Sequence, residues 1–194
     1  DLARDQKDAI GLYLRLGSLL ERFRQRWPAT TQSIIYGLGP DSVAFRTAQA
    51  GLERLYRRLQ SDPALKLRVS QWRKYLALVY GEEPGDDALF IKHTYLATVA
   101  RLLASLRLGL PALLTLEDLE AIIVGRYFET RASLLNFVED DFFTWFLFEP
   151  ARQDGRMLVN RLLTTLQPYD FSQVTEDVLK ALYQGLVDPV TRHE

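Results

Sequence analysis

Hydrophobic residues recur at steps of three and four over most of the 194 residues. This spacing places side chains on one face of an α-helix. The first such stretch runs from Leu2 to Trp27, and Pro28 then stops it, so the pattern predicts one long amphipathic helix. Its apolar positions are Ile10, Tyr13, Leu14, Leu16, Leu20, Phe23 and Trp27. A short helical or irregular piece, Thr31 to Tyr36, follows, and residues 37–40 predict a turn.

Capping residues mark the next two helices. The second begins at Asp41 or Ser42, because either side chain can accept the free amide bonds of a first turn. The third covers Pro63 to Tyr80, with Asp62 as its cap and Gly81 at its end, where a positive φ is usual. The predicted apolar faces are Ala48, Leu52, Leu55, Tyr56 and Leu59 on the second helix, and Leu65, Val69, Trp72, Leu76 and Val79 on the third.

Five more helices and one ambiguous stretch are predicted in the remainder of the chain. One helix runs from Asp86 to about Leu108, and a short one opens at a Thr115–Asp118 capping box and ends at Gly125. Residues 126–139 are ambiguous, and the aromatic run 140–148 predicts a buried helix that Pro150 breaks. The last two helices cover about 152–166 and 174–186.

No alternating run with a hairpin turn occurs, so a sheet is not expected. The pattern as a whole predicts an all-α fold, an irregular multi-helix bundle of about seven to nine helices.

Charge divides the chain in two. Residues 1–80 hold 14 Lys or Arg against 7 Asp or Glu, whereas residues 81–194 hold 10 against 18. We therefore predict a basic helical subdomain over 1–81, with three long helices, and an acidic helical subdomain over 86–194. Two interpretations of the basic half are open: it faces nucleic-acid phosphates, or it packs on the acidic half or another domain.

Composition excludes several classes of site and protein. The chain has no cysteine, which excludes disulfides and thiolate metal sites and favours a cytosolic origin. Two histidines are too few for a histidine-rich metal site. Arg101 and Arg107 interrupt the most apolar region, so no membrane span is predicted. The chain starts without an initiator Met or a signal-peptide pattern, so we expect it to be a piece of a longer protein.

Candidate catalytic residues are few. The trio Glu139, Asp140 and Asp141 could bind Mg²⁺, but no Lys or His lies near it in sequence, and carboxylates that open a helix are favoured by its dipole. His93 would be a general base only beside a carboxylate or a nucleophile, so a packed, hydrogen-bonded interior position is favoured. The three tryptophans, Trp27, Trp72 and Trp145, could stack on bases, but their helical spacing favours core packing. We therefore expect no catalytic, metal-binding or cofactor-binding residue in this chain.

Basic clusters are the one feature that suggests nucleic-acid binding. Two members, Arg54 and Arg58, are one helical turn apart and would share a surface, although Glu53 and Glu21 offer ordinary ion pairs nearby. The candidate contacts to the DNA backbone are Arg22, Arg24, Arg26, Arg54, Arg57, Arg58, Lys66, Arg68, Arg73 and Lys74.

Three stretches resemble the helical region upstream of the methyltransferase domain in single-chain restriction-modification enzymes and related N6-adenine DNA methyltransferases. Residues 89–97, LFIKHTYLA, are similar to the family's Leu-Phe-x-x-His-Thr-Tyr-Leu helix. Residues 136–145, NFVEDDFFTW, are similar to its Asn-Phe-x-Glu-x-Asp-Phe-Phe-x-Trp run, and residues 177–194 are similar to its helix and Asp-Pro-x-x-Arg-His turn. The matching motif residues are His93, Thr94, Tyr95, Asn136, Phe137, Glu139, Asp141, Phe142, Trp145, Arg192 and His193.

The resemblance implies a parent enzyme that methylates adenine N6 with S-adenosylmethionine and that can carry a nuclease domain. In the family, the tail motif runs into a Leu-Gly-x-Tyr-Tyr-Thr-Pro segment that opens the methyltransferase domain. The family's Asn/Asp-Pro-Pro-Tyr/Phe motif and glycine-containing cofactor motif are absent from these 194 residues. The chain is therefore expected to bind neither S-adenosylmethionine nor a metal, and to work in a prokaryotic cytoplasm beside its methyltransferase and nuclease domains.

Two functions follow as hypotheses. The first is a non-catalytic helical connector that orients a nuclease or motor domain against the methyltransferase and contacts the DNA backbone through its basic half. The alternative is a protein-interaction module that docks another subunit through an exposed patch at residues 142–148. An independent enzyme that uses Glu139, Asp140 or His93 is disfavoured, because no complete constellation of groups accompanies them.

Overall fold

The computed structural model describes residues 26–81, 86–110, 114–135, 137–138, 142–171 and 177–187. Within these ranges the chain forms eight α-helices, one 3₁₀ helix and a pair of two-residue strands, which confirms the predicted all-α multi-helix fold. The elements in chain order are β1 (Trp27–Pro28), α1 (Thr31–Leu38), α2 (Val43–Leu59), α3 (Pro63–Tyr80), α4 (Asp87–Leu108), α5 (Leu116–Ile123), α6 (Arg126–Ala132), η1 (Trp145–Leu147), α7 (Arg152–Leu166), β2 (Tyr169–Asp170) and α8 (Val178–Leu186).

Side-chain caps begin most of these helices where the sequence predicts them. Ser42 accepts the amide of Phe45, and Asp62 accepts the amides of residues 64 and 65 ahead of α3. Thr115 and Asp118 form the predicted capping box at the start of α5. Gly81 ends α3 with a φ of 76°, in the left-handed region where a glycine costs least. These local signals fix the helix bounds.

Helix α4 lies at the centre of the bundle. It contacts α2, α5, α6, α7 and α8. Its buried residues Phe90, Tyr95 and Val99 belong to one hydrophobic cluster that also includes Leu52 of α2 and Leu162 of α7. The buried side chains of residues 26–81 and of residues 86–187 therefore share one core. The division into a basic and an acidic subdomain stays a prediction about charge.

Four local predictions are wrong in their described parts. The predicted first helix lies largely outside the described residues, but its last residue, Trp27, is in β1 and its side chain is 63% exposed rather than in the core. Val79 is exposed on α3. Within 140–148 the described residues form turns and the 3₁₀ helix η1 instead of an α-helix, although Trp145 and Phe146 are fully buried as expected. The core requires large apolar side chains at these positions, and the aromatic residues fill it without forming a regular α-helix.

The strand pair is the fourth difference. Trp27 and Pro28 pair in parallel with Tyr169 and Asp170. The Trp27 amide donates to the carbonyl of Pro168 and the Ala29 amide to that of Asp170, at 2.8 and 3.2 Å. Pro28 lies between them, where its missing N–H is not needed because alternate residues of a strand donate to opposite sides. Two residues are too few to produce a period of two in the sequence, so the pattern did not predict this pairing.

Candidate nucleic-acid interface

The predicted DNA contacts differ in their surroundings. Arg22 and Arg24 lie outside the described residues. Arg58 pairs with Asp154 of α7 at 2.7 Å, and Arg73 pairs with Asp87 of α4 at 2.8 Å. Two predicted contacts, Arg58 and Arg73, therefore pair with carboxylates of the acidic half.

The outward face of α2 keeps a row of cations. Arg46, Arg54 and Arg57 are all exposed, and none of them pairs with a carboxylate of the described residues. At 100° per residue, Arg46 and Arg57 point within about 20° of each other and Arg54 lies to one side of them. Glu53 lies at the opposite edge of the row, is half-buried and accepts a hydrogen bond from Gln49. We call Arg46, Arg54 and Arg57 the α2 cation row.

Arg46 is a member of the row that the sequence clusters did not indicate. Its signal is nevertheless present in the sequence, because the eleven-residue step from Arg46 to Arg57 is three helical turns and returns to the same face. Arg46 stands alone along the chain, whereas residues 54–58 form a cluster, so helical spacing rather than local density identifies it.

Two further predicted contacts lie on α3. Lys66 and Lys74 are exposed there, and Lys66 lines a small cavity of about 320 Å³ with Arg73 and Asp87. The same helix exposes Leu78, which is 85% accessible. The outer side of α3 is thus a mixture of aliphatic and basic side chains, less suited to phosphates than the α2 cation row. Arg26 is exposed at the start of β1, and Arg68 is half-buried on α3.

A groove of about 1070 Å³ runs between α1, α2 and α7. Apolar residues of all three helices line it, among them Ile35, Ala48 and Leu158. Arg161 of α7 also lines it, together with Arg54 and Arg58. The contribution of Arg161 was not predicted, since nothing in the sequence brings α7 against α2.

His93 lies in an aromatic cluster. The indole N–H of Trp72 donates to its Nδ1 at 3.3 Å, and the rings of Trp72, Phe143 and Tyr183 lie 5.7 to 6.2 Å from its own. Its Nε2 is buried without a hydrogen-bond partner among the described residues. Burial, assisted by the charge of Lys92, lowers the pKa of His93 to about 4. The geometry agrees with the predicted interior position and gives His93 neither a carboxylate nor a nucleophile among those contacts.

The first two stretches that carry the family resemblance pack against each other. Trp145 donates from its indole nitrogen to Thr94 Oγ1 at 2.9 Å, and its ring stacks on Phe90 with centroids 6.0 Å apart. Tyr95 donates to the carbonyl of Leu38 at 2.7 Å. These motif residues therefore make buried hydrogen bonds of the core.

The other motif residues are placed as follows. Phe137 packs on Phe128 with ring centroids 4.1 Å apart, and Phe142 is half-buried beside Tyr75. Outside the described residues lie Asn136, Glu139, Asp140, Asp141, Arg192 and His193.

Other kinds of site are not found in the described part of the chain. No group of three or more potential metal ligands occurs among the described residues. No helix in the described ranges is long and apolar enough to span a membrane. No family model, curated protein or solved structure matches the chain.

Proposed function

We propose that this chain is a non-catalytic helical connector of a DNA restriction-modification enzyme and that the α2 cation row contacts the DNA backbone. The observation that carries the DNA-contact part is the row itself, three exposed arginines on one face of one helix without carboxylate partners among the described residues. The connector part, with an adenine-N6 methyltransferase that uses S-adenosylmethionine as its neighbour, is supported by the family resemblance of residues 89–97, 136–145 and 177–194.

The geometry of the row suits a phosphate backbone. Arg46 and Arg57 are separated by about 17 Å along the helix axis at 1.5 Å per residue. Each strand of a duplex carries one phosphate per 3.4 Å of axis, so a row of this length spans about five phosphates. Guanidinium groups bind phosphate oxygens through paired N–H donors. We expect contact without base readout, because the row projects from the side of α2 and no groove-reading element is identified among the described residues.

The described core also bears on the alternative. Docking through residues 142–148 requires an exposed patch, yet Trp145, Phe146 and Leu147 are buried and Phe142, Phe143 and Phe148 are half-buried against the core. No observation on these residues favours the docking hypothesis over the connector.

Fluorescence anisotropy with a labelled 20-base-pair duplex tests the DNA contact. The 1–194 chain should bind several unrelated sequences with equal, weak affinity, roughly 10⁻⁴ to 10⁻⁶ M, as is typical of non-specific binding. The triple variant Arg46→Gln, Arg54→Gln, Arg57→Gln should reduce the slope of log K against log salt by about 0.9 for each phosphate that the variant no longer neutralises.

A charge-matched control distinguishes the row from net charge. Arg107, Arg126 and Lys180 are exposed cations on three other helices, and their replacement by Gln removes the same charge. The control variant should show the same slope of log K against log salt as the parent chain. Equal weakening by both triple variants, or no binding of the parent at 25 mM salt, would remove the DNA contact from the proposal.

The connector part has its own test, the gene sequence beyond the codon for Glu194. We expect a Tyr-Tyr-Thr-Pro segment within about ten codons and an Asn-Pro-Pro-Tyr-like motif after it. A downstream sequence without either motif would refute the assignment to this family, whatever the DNA-binding result.

A further inference from the structure

Tyr36 and Arg161 line the groove between α1, α2 and α7 but are not members of the α2 cation row. Tyr36 lies on α1, and its side chain is 86% exposed, so most of the ring is open to solvent. Arg161 lies on α7 and is also exposed. An exposed aromatic ring and exposed cations along one concavity are the groups that bind single-stranded nucleic acid in proteins.

Helices α2 and α7 run antiparallel along the groove. Asp154, near the start of α7, pairs with an arginine near the end of α2. Closer to the start of α2, a Cβ added to Gly51 would lie 2.9 Å from Leu158 Cδ1. By this register Arg161 on α7 lies about one to two helical turns from Arg54 on α2. The two cations therefore line the same groove from two different helices.

Neither of these two cations is neutralised within the described part of the chain. No ion pair joins Arg54 or Arg161 to a carboxylate there, and Asp154 is already paired. The other carboxylate of the lining is Asp41, in the turn between α1 and α2 and close in sequence to Tyr36. Phosphates are therefore favoured along Arg54 and Arg161, whereas an uncharged base is favoured at Tyr36.

The apolar part of the lining suits bases rather than phosphates. Val43 is 73% exposed at the α1 end of the groove, and Met157 is 43% exposed on α7. Unstacked bases have apolar faces that can lie against such side chains, but the bases of a duplex are stacked on one another and are not available. A single strand can therefore contact the cations and the apolar surface together, whereas a duplex contacts the cations alone.

We propose that this groove binds single-stranded DNA independently of its sequence, with phosphates on Arg54 and Arg161 and one base stacked on Tyr36. Single-strand binding at this site deepens the DNA-contact part of the proposed function and rests on DNA being the ligand. The α2 cation row then contacts the backbone of a duplex, and the groove holds a strand whose bases are unpaired.

Fluorescence anisotropy with a labelled twelve-thymidine strand and a labelled twelve-base-pair duplex tests the groove in the 1–194 chain. At 25 mM salt the single strand should bind at least fivefold more tightly, because one base stacked on an aromatic ring contributes roughly five- to hundredfold in affinity. Equal affinity for the two ligands, or tighter binding of the duplex, would overturn the proposal. Absence of single-strand binding would also overturn it and would favour a protein partner for the groove.

Variants of Tyr36 test the stacking contact. Tyr36→Ala should weaken single-strand binding roughly five- to hundredfold and leave duplex binding unchanged. Tyr36→Phe keeps the ring and should bind like the parent chain. The matched control is Tyr75→Ala, at a tyrosine that is 57% exposed on α3, and it should also bind like the parent chain. Equal weakening by the two alanine variants, or by Tyr36→Phe and Tyr36→Ala, would contradict stacking on Tyr36.

A variant of Arg161 tests the phosphate contact. Arg161→Gln should reduce the slope of log K against log salt for the single strand by about 0.7 for each phosphate that it no longer neutralises, and it should leave the duplex slope unchanged. Arg126→Gln removes an exposed cation on α6 and should change neither slope. An unchanged single-strand slope in Arg161→Gln, or an equal change for both ligands, would exclude Arg161 from the site and refute the proposed groove.

The row and the groove can fail separately in these measurements. Single-strand binding that depends on Tyr36 and Arg161, together with duplex binding that is insensitive to the α2 cation row, would remove the row from the proposed function and support the groove. Duplex binding that depends on the row, without any preference for the single strand, would retain the row and overturn the groove.

Discussion

The buried imidazole of His93 makes the stability of this protein depend on pH in a way that the structure specifies. Burial lowers the pKa of His93 from 6.5 to about 4 in the folded chain. The indole N–H of Trp72 donates to Nδ1 of His93. Protonation of Nδ1 would break that hydrogen bond and would also leave a charged imidazole poorly solvated. The unfolded chain carries a histidine of ordinary pKa. Protonation therefore favours unfolding.

The sign and magnitude of this pH dependence follow from the linkage between proton binding and folding. Between pH 6.5 and about 4 the unfolded chain holds a proton on residue 93 that the folded chain does not, so the free energy of unfolding falls as the pH is lowered through this window. Above pH 6.5 both states are neutral at this site and the contribution vanishes. A shift of about 2.5 units at 1.36 kcal/mol per unit gives a loss of about 3 kcal/mol by pH 4.

The assay is urea unfolding, followed by circular dichroism, of the parent and of His93→Asn at several values of pH from 7.5 to 4. Asn carries no titrating group, and its Oδ1 can still accept the Trp72 indole hydrogen. The difference in unfolding free energy between the two proteins should move by about 3 kcal/mol toward the variant as the pH falls. His193 and all carboxyl groups are common to both proteins, so their titration cancels. Parallel pH profiles would refute the reasoning and place His93 in contact with solvent.

Two further predictions concern packing. A Cβ on Gly155 of α7 would collide with the backbone oxygen of Phe146, so Gly155→Ala should lower the free energy of unfolding by about 1 to 3 kcal/mol. At Gly185 on α8 the nearest atom lies 3.7 Å from an added Cβ, so Gly185→Ala should raise the free energy of unfolding by about 0.5 to 1 kcal/mol. Similar changes in stability at Gly155 and Gly185 would contradict this packing argument. Tyr95→Phe leaves the carbonyl of Leu38 without its 2.7 Å donor and should cost about 1 to 3 kcal/mol in urea unfolding, and a cost near zero would show that water replaces the hydroxyl.

Predictions from the sequence succeeded where the determining interaction is local. The cap of α3 by Asp62 and the capping box of Thr115 and Asp118 join residues at most three apart. Gly81 is needed for a single positive φ. Such signals are contained in a few neighbouring residues, so the helix bounds could be predicted from the sequence.

Predictions failed where contacts between residues distant in the sequence determine the structure. Trp27 has the spacing of a core residue, but its backbone pairs with Tyr169, 142 positions away, and its side chain is left outside. The same limit applies to the candidate site. Arg58 cannot be assigned as free or paired without Asp154, which is 96 positions distant. The α2 cation row, by contrast, depends only on helical spacing, and Arg46 could have been included from the sequence.

The motif residues that carry the family resemblance acquire a physical role from these contacts. Thr94 donates its hydroxyl to the carbonyl of Phe90 and accepts the indole hydrogen of Trp145, so one buried side chain ties α4 to η1 across 51 positions. Replacement of Thr94 by an apolar residue leaves the buried indole N–H of Trp145 without an acceptor, which costs more than the net gain of an ordinary hydrogen bond. Packing and hydrogen bonding in the core are therefore sufficient to make these positions specific in residue type.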